Sequence, residues 1–346
     1  MVIQFEQPLR LSLLQMIKPV SPSFVEFYLS GMQKLQNRFG AALHSVMMVI
    51  GEDDSVITYG IDPSGKGQEP NARVIEHRHN VLLDDPEALA ESIFIRMRPA
   101  ALQVVRFEGH GDEYRTAGIS DAGIVKSLKI NQEITGLKPH LLVFNSCRKA
   151  TDAFCHRYRY STDAILATQA DHDAVLSFDI QSIATALLDP SLGCQLNHAM
   201  LATIIASHPW FLTAAAIDAK AGGELFDGFK ELSYLLAKES PEMRNSAIAR
   251  LPEAGKELPS AAESNFADIG QSLSILAGMP FSPQMMEGIR RVQALLQKAI
   301  VAKTGRVYKS METPNRYKSF DGTKLSGLSF NTRIFQSNVS SALLRG

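Results

Sequence analysis

The chain has 346 residues and a formal net charge of −1, with 45% hydrophobic and 21% charged residues, as in ordinary globular proteins. Its length predicts two domains or one large α/β domain. The near-zero charge gives no general case for binding nucleic acid or a membrane surface. No apolar run reaches the roughly 18 residues of a membrane-spanning helix.

The cysteines and the first residues bear on the cellular compartment. Cys147, Cys155 and Cys194 are few and odd in number, so they imply no disulfide framework and fit a reducing compartment. The first residues lack the basic segment and unbroken apolar stretch of a secretory signal. We therefore expect a cytoplasmic protein.

The first part of the chain predicts one helix and one core strand. Residues 23–38 carry apolar side chains at helical spacing. Residues 45–50 form a continuous apolar run, typical of a buried strand, and Glu52 and Asp53 follow in a polar turn. Acidic clusters can bind hard cations, but a solvated turn is the more frequent structure at a strand end.

A loop and a second helix are predicted before the next strand. Residues 61–78 are rich in Gly, Pro, Ser and charge, which favours a loop. His77 and His79 have no third metal ligand at a fixed spacing, so we expect surface histidines and no metal site. A helix then begins with Asp85 as its cap and Pro86 at its first position.

Two further apolar runs each end in a reactive side chain. Residues 102–107 lead to His110 between two glycines, and residues 141–144 lead to Cys147 in a small polar turn. Both runs are rich in β-branched and aromatic residues, so they predict buried strands. Ligands of open parallel sheets bind outside the carboxyl ends of the strands. The pattern therefore predicts a base and a nucleophile at one crevice.

This pairing has a chemical logic. The thiolate is the nucleophilic form of cysteine, and an adjacent imidazole can take the proton of Cys147 and return it to a leaving amine. Gly111 lets the backbone approach a substrate closely and could offer its N–H to an oxyanion. Taken alone, His110 and Cys147 also fit a loop histidine and a small buried core cysteine.

The second half of the chain continues the alternation of strands and helices. A strand is predicted at residues 164–168, with Asp171 and Asp173 in the loop after it. A second strand is predicted at residues 210–218, and Asp218 would cap the helix that follows. Then come a helix, a loop or hinge, and two helices, at residues 222–236, 240–265, 266–276 and 283–302.

Several of these features together resemble the clostripain family of cysteine peptidases, which share the caspase-like fold. In that family one strand ends in a His-Gly motif and the next in an Asp-Ala-Cys-like motif, which here correspond to residues 109–111 and 145–147. The helix start at residues 85–87 and the Gly-Leu-Ser at residues 327–329 match in the same order. The resemblance covers, with gaps, about residues 45–335.

The resemblance implies an α/β fold of the caspase-like type, in which helices flank a mostly parallel central sheet and the C-terminal region is helical. We therefore predict an N-terminal helical extension, a catalytic core, and a C-terminal region of helices plus a late strand. These occupy residues 1–40, 41–238 and 239–346.

The resemblance also implies a cysteine endopeptidase that cuts protein or peptide substrates with His110 and Cys147. The family builds the pocket for the residue before the cut from the loop after the next strand, so Asp171 and Asp173 would select Arg over Lys. Asn145 would line the same pocket. It stands where the family usually has Asp, which makes the pocket less acidic.

Control of the activity is implied by the same resemblance. Some family members cut themselves after a basic residue between the two motifs, where this chain has Arg115, Lys126, Lys129 and Lys138. Each is equally an ordinary surface charge. No residue pattern requires a cofactor or metal. Calcium enters through the resemblance alone, and activation by a protein partner is a further expectation.

Two other functions stay open beside the peptidase. One is a caspase-like module that has lost efficient cleavage and acts as a regulatory or binding protein. The other is an α/β enzyme acting on thioester bonds or on amide bonds outside peptides. The presence of both His110 and Cys147 favours the peptidase over the regulatory module.

Overall fold

The chain folds into two compact units. The computed structural model describes residues 9–19, 21–53, 55–62, 71–92, 94–112, 114–169, 178–211, 213–255, 258, 265–308 and 320–344. The first unit comprises Met1–Ser146, Ser161–Asp163 and Ser177–Ser207, and the second comprises Cys147–Tyr160, Ala164–Leu176 and His208–Gly346. Each unit gathers segments from distant parts of the sequence. The division predicted at residues 40 and 238 stays a prediction.

The described helices and strands alternate along most of the chain. The strands are β1 (Leu11–Ile17), β2 (Leu43–Ile50), β3 (Val56–Asp62), β4 (Asn71–Arg78), β5 (Leu102–Glu108), β6 (Arg115–Thr116), β7 (Ile119–Ser120), β8 (Leu141–Asn145), β9 (Ala164–Ala167), β10 (Thr213–Asp218), β11 (Phe266–Asp268), β12 (Ile300–Gly305), β13 (Val307–Tyr308), β14 (Phe320–Asp321) and β15 (Ser329–Asn331). The helices are α1 (Pro22–Phe39), α2 (Pro86–Ser92), α3 (Asp121–Thr135), α4 (Asp152–Tyr158), α5 (Ile180–Leu188), α6 (His198–Ala206), α7 (Ala219–Ala237), α8 (Pro241–Arg250), α9 (Ile269–Ala277), α10 (Pro283–Ala299) and α11 (Thr332–Leu343).

Six described strands of the first unit form a mixed sheet, and three described strands of the second unit pair in the order β12-β10-β9. In the first unit the strand order is β8-β5-β1-β2-β3-β4. The four strands from β8 to β2 are parallel. Strand β3 is antiparallel to β2, and β4 is antiparallel to β3. All residues of β1, β5 and β8 are buried, which explains their near-continuous apolar sequences. The expected α/β architecture is confirmed.

Helix α1 covers one face of the first unit's sheet. Tyr28 and Met32 of the helix pack in one buried cluster with Ile17, Met47 and Val49 of the strands. Burial of each side chain of this size stabilises the fold by about 1.5–3 kcal/mol. The burial of its apolar stripe therefore holds α1 against the sheet. The helix predicted at residues 23–38 is confirmed.

The second unit is organised around helix α7. Its cap is the predicted one, because the Asp218 carboxylate accepts the N–H of Ala221 at 2.8 Å. The helix contacts α4, α10 and α11. Strand β10, which leads into it, lies between β9 and β12 and is antiparallel to both. The late strand β15 pairs with β11, and Ser329 donates its N–H to the Ala150 carbonyl at 3.1 Å.

Several sequence predictions were wrong for identifiable reasons. Strand β1 was not predicted, because polar Ser12 and Gln15 interrupt its short apolar run, although both are buried. Strand β4 occupies part of the loop predicted at residues 61–78. It was missed because most of its residues are polar and several are exposed. Helix α8 and the turn after it lie where residues 240–265 predicted a loop.

The helix predicted to end at residue 302 also needs correction, since residues 300–305 form β12. Their β-branched sequence favours a strand once it can pair with β10. Among the described helices, none has the length and apolar content needed to cross a bilayer.

Gly222→Ala should destabilise the second unit. A Cβ at this position of α7 would lie 2.7 Å from Cys155 Cβ of α4, so the helices would have to separate. Overpacking of this kind costs about 1–3 kcal/mol. Thermal unfolding measures the effect. The control is Gly278→Ala at the end of α9, where the nearest atom to an added Cβ is 3.5 Å away. Equal melting temperatures for the two variants would contradict the packing argument.

Candidate active site

The carboxyl ends of β5 and β8 lie side by side in the first unit. The strands are parallel and in register, and Glu108 opposite Asn145 is the last pair. Just beyond them, Ser146 Oγ donates a hydrogen bond to the Gly109 carbonyl oxygen at 2.9 Å. Gly109 precedes the predicted base, and Ser146 precedes the predicted nucleophile. The segments that follow β5 and β8 within the first unit therefore leave the sheet at the same edge.

His110 is exposed and lines an open cleft of about 630 Å³. The cleft is formed by residues that follow β1, β2 and β5 and by the β6–β7 hairpin. Both glycines beside His110 are required by close contacts. Gly109 has φ +146°, and a Cβ there would lie 3.2 Å from the Lys18 carbonyl oxygen. A Cβ on Gly111 would lie 2.7 Å from Ser146 Cβ.

Cys147 is half-buried and begins the second unit, in a turn between strand and helix. The next residue, Arg148, has φ +56°, in the left-handed region that side chains other than glycine rarely adopt. Strained residues of this kind cluster at functional sites, where the surrounding structure fixes them. Thr151 ends the turn, because its Oγ1 accepts the Phe154 N–H at 3.1 Å and caps α4.

A buried polar network lies beneath the two strand ends. The Glu108 carboxylate accepts hydrogen bonds from Arg106 Nη2 at 2.5 Å and from Asn145 Nδ2 at 2.7 Å. The exposed fractions are 0% for Arg106, 6% for Glu108 and 1% for Asn145. Tyr28 also hydrogen-bonds to the carboxylate, and its ring centroid lies 5.0 Å from the Arg106 guanidinium carbon. The network thus ties β5 to β8 and both to α1.

The network balances opposing electrostatic effects on one carboxyl group. Burial raises the pKa of Glu108 above its ordinary value, because the charged form loses its hydration. The Arg106 guanidinium and the hydrogen bonds from Asn145 and Tyr28 act in the opposite direction. A buried charge needs such partners, since an unpaired carboxylate in the core is strongly unfavourable.

The amide of Asn145 is engaged at both ends within the first unit. Its Oδ1 accepts the Phe178 N–H at 2.8 Å, while its Nδ2 donates to Glu108. Its predicted contact with substrate, and the oxyanion role of the Gly111 N–H, stay predictions. Asp171 and Asp173, the predicted carboxylates of the substrate pocket, lie outside the described residues.

Arg106, Glu108 and Lys18 were missed as site residues by the sequence reasoning. The available signal was in the strand itself. Two opposite charges separated by one residue in an otherwise apolar run lie on the same face of a strand, so Arg106 and Glu108 could have been expected to pair. No comparable signal marks Lys18, because its position depends on the unpredicted β1.

A metal site was not expected from the sequence. In the part of the chain that the structure describes, no group of three or more His, Cys, Asp and Glu side chains could hold a metal ion. The Asp53 carboxylate in the acidic turn after β2 accepts the Ser55 N–H at 3.2 Å, as in an ordinary polar turn.

The fold is of the caspase-like class, and solved structures of C11 cysteine proteases share it. A secreted C11 cysteine protease from Bacteroides thetaiotaomicron, iotapain, superposes with a TM-score of 0.71 at 13% identity, with 94% of this chain and 94% of that chain covered. An inactive zymogen C11 protease from Parabacteroides distasonis gives 0.63 at 13% identity, covering 97% of this chain and 95% of its own.

A further structure of a secreted C11 cysteine protease from Bacteroides thetaiotaomicron contains an irreversible peptide inhibitor. It gives a TM-score of 0.64 at 11% identity and covers 93% of this chain and 92% of that one. No family model and no curated protein sequence matches the chain. The likeness at these identities establishes the fold.

Arg106→Met should destabilise the protein by about 3–5 kcal/mol at neutral pH, because it leaves the Glu108 carboxylate buried and without its counter-charge. The pKa of Glu108 would then rise further. A carboxyl group with a raised folded-state pKa stabilises the fold fully at low pH, and this contribution is lost as the pH rises through that pKa. The variant should therefore regain stability as the pH falls.

Urea unfolding at about pH 5 and about pH 8 measures this dependence. The control is Arg106→Met/Glu108→Gln, which removes both charges and should recover most of the lost stability at either pH. Equal destabilisation of the single and double variants at both pH values would show that lost packing, and not the unpaired charge, dominates.

Proposed function

We propose that the chain is a cysteine endopeptidase in which Cys147 is the nucleophile and His110 is the general base and acid. The observation that carries the proposal is the contact between the two motifs in the first unit, where Ser146 hydrogen-bonds to Gly109. The caspase-like fold shared with C11 cysteine proteases supports it, as does the peptide inhibitor bound by one of them.

The chemistry proceeds in two steps. His110 takes the thiol proton, and the Cys147 sulfur attacks the peptide carbonyl carbon to form a tetrahedral oxyanion. The backbone N–H of Gly111 would stabilise that charge. The C–N bond then breaks as His110 returns the proton to the leaving amine, which leaves a thioester. Water, deprotonated by His110, attacks the thioester and releases the carboxylic acid and the thiol.

Cys147→Ala should abolish cleavage of a diverse peptide library, with a loss in kcat/KM on the order of 10³ or more, because the nucleophile is gone. His110→Ala should cost nearly as much, and the two losses should not add, since the residues act as a unit. The matched control is Cys194→Ala, which removes an exposed thiol of the first unit. Equal activity of Cys147→Ala and wild type would refute the assignment.

Cleavage after Arg, and less efficiently after Lys, is the proposed specificity. It rests on the resemblance to the clostripain family, which places pocket-forming residues after the strand that follows the nucleophile, where Asp171 and Asp173 stand. A guanidinium can bind one carboxylate through two parallel hydrogen bonds, whereas an ammonium gains less from the same geometry.

Asp171→Lys or Asp173→Lys should suppress cleavage after Arg much more than alkylation of Cys147 by a small thiol reagent. The control is Asp163→Lys, which changes an exposed carboxylate of the first unit that pairs with Lys138. The library profile of the wild-type protein is the second readout. A preference for acidic or apolar residues before the cut would contradict the pocket assignment and leave the roles of Cys147 and His110 intact.

Activation by self-processing is part of the proposal. Of the four candidate basic residues, Lys126 and Lys129 lie within α3 and Arg115 lies in β6. Lys138 lies in the segment between α3 and β8, outside helix and strand, where a chain can be extended for cleavage with least loss of structure. Its ion pair with Asp163, at 2.5 Å, would be broken by such a cut.

The same assays address the remaining expectations. A catalytically weak regulatory module would resist an activity-based thiol probe, and an enzyme for other thioesters or amides would react with the probe but cut no peptide. Comparing the library with and without calcium tests calcium dependence, and adding cell extract tests for an activating protein. The cytoplasmic location stays a prediction, whereas the neighbouring protease iotapain is described as secreted.

A further inference from the structure

The cleft beside His110 contains more charge than the proposed chemistry uses. It lies entirely within the first unit, and its charged or titratable lining side chains besides His110 are those of Lys18, Glu52, Asp112 and Arg115. A peptide bound there would meet these groups first. Which of them are available to a ligand follows from their existing contacts.

Two of the four already have partners. The Asp112 carboxylate accepts the backbone N–H groups of Tyr114 and Arg115 at 2.7 and 2.8 Å, so it fixes its own turn. The Arg115 guanidinium donates to the Gly118 carbonyl and to Asp84. Of the other two lining charges, Glu52 is exposed, where water screens a carboxylate strongly.

Lys18 is different, because the fold positions it and leaves its charge available. Its backbone N–H donates to the Glu108 carbonyl at 2.9 Å, directly before the His110 motif. Its Cβ and carbonyl oxygen pack against Gly109, and its Nζ lies 3.0 Å from where a Cβ of Gly118 would be. In the described ranges, its ammonium has no hydrogen-bond or ion-pair partner.

The chemistry of His110 decides which part of a substrate reaches this cleft. The imidazole that returns the proton must face the leaving amine, since the nitrogen of the broken bond receives it. The residues after the cut therefore pass on the side of His110. Because the cleft is lined by His110, it is placed to hold the first residues of the leaving peptide.

We infer that this cleft binds the leaving-group side of the substrate and that Lys18 selects a carboxylate there. The inference rests on the proposed peptidase function and adds a specificity on the side of the cut opposite to the Arg pocket. The carboxylate can come from an Asp or Glu side chain in the first two positions after the cut. It can equally come from the free C-terminus of a short leaving peptide.

The test uses three peptides with the same residues before the cut, chosen from the library. One has Gln at the first two positions after the cut and an amidated end, one has Glu at these positions, and one ends there in a free carboxylate. Wild type should cleave at least one carboxylate peptide about two- to fivefold faster in kcat/KM than the Gln peptide, the upper range of an exposed ion pair. The two carboxylate peptides distinguish a side chain from a chain terminus.

Lys18→Met keeps the aliphatic stem and removes the charge, so the preference should fall to about onefold. Lys18→Glu should invert it. Glu52→Gln should increase it slightly, because a screened negative charge that repels the carboxylate is removed from the cleft. The matched control is Lys34→Met, which changes an exposed lysine of α1 and should leave the preference as in wild type. Raising the salt concentration should weaken the preference in wild type and not in Lys18→Met.

The outcomes separate the two levels of the account. If the wild-type protein cleaves the Gln peptide and Cys147→Ala does not, this supports the proposed peptidase function and does not bear on the role of Lys18. Wild-type cleavage without a carboxylate preference, or a preference that survives in Lys18→Met, overturns the inference and leaves the peptidase in place. A wild-type protein that is folded and cuts none of the peptides overturns both.

Discussion

The hydrogen bond between Glu108 and Asn145 is the constraint on which the rest of the site depends. It joins the last register pair of β5 and β8, at the point where the chain enters the two motifs. Because Arg106 neutralises the buried carboxylate, the interaction can exist in the core, where an unpaired charge would not be tolerated. A shift of either strand would break it, so the network specifies register as well as stability.

The same edge of the first unit explains why small residues flank the reactive ones. Ser146 hydrogen-bonds to the Gly109 carbonyl and would clash with a side chain at position 111. The segments after β5 and β8 therefore lie so close together that only small residues fit between them. This closeness leaves His110 exposed toward a cleft that continues to Lys18. In the proposed function, proton transfer by His110 and recognition of the leaving peptide by Lys18 would therefore occur at the same cleft of the first unit.

Sequence reasoning succeeded where local pattern and burial agree. The continuous apolar runs of β5 and β8 and the amphipathic stripe of α1 reflect the faces they bury, so each could be predicted from its own residues. It failed for β1, whose polar Ser12 and Gln15 are buried, and for α8, which buries only Ala247 and therefore shows no apolar stripe in its sequence. The pairing of Arg106 with Glu108 could have been predicted, because residues two apart in a strand lie on the same face. The hydrogen bond from Asn145 to Glu108 could not, because it depends on the register between strands that are far apart in the sequence.

Covalent capture tests the central claim, a single Cys147 nucleophile activated by His110. The protein is incubated with a peptidyl acyloxymethyl ketone carrying Arg at its reactive end, and the adduct is located by mass spectrometry of proteolytic fragments. The account predicts one adduct, on Cys147, formed much more slowly in His110→Ala. An adduct on Cys155 or Cys194 instead, or an equal rate in His110→Ala, would contradict it.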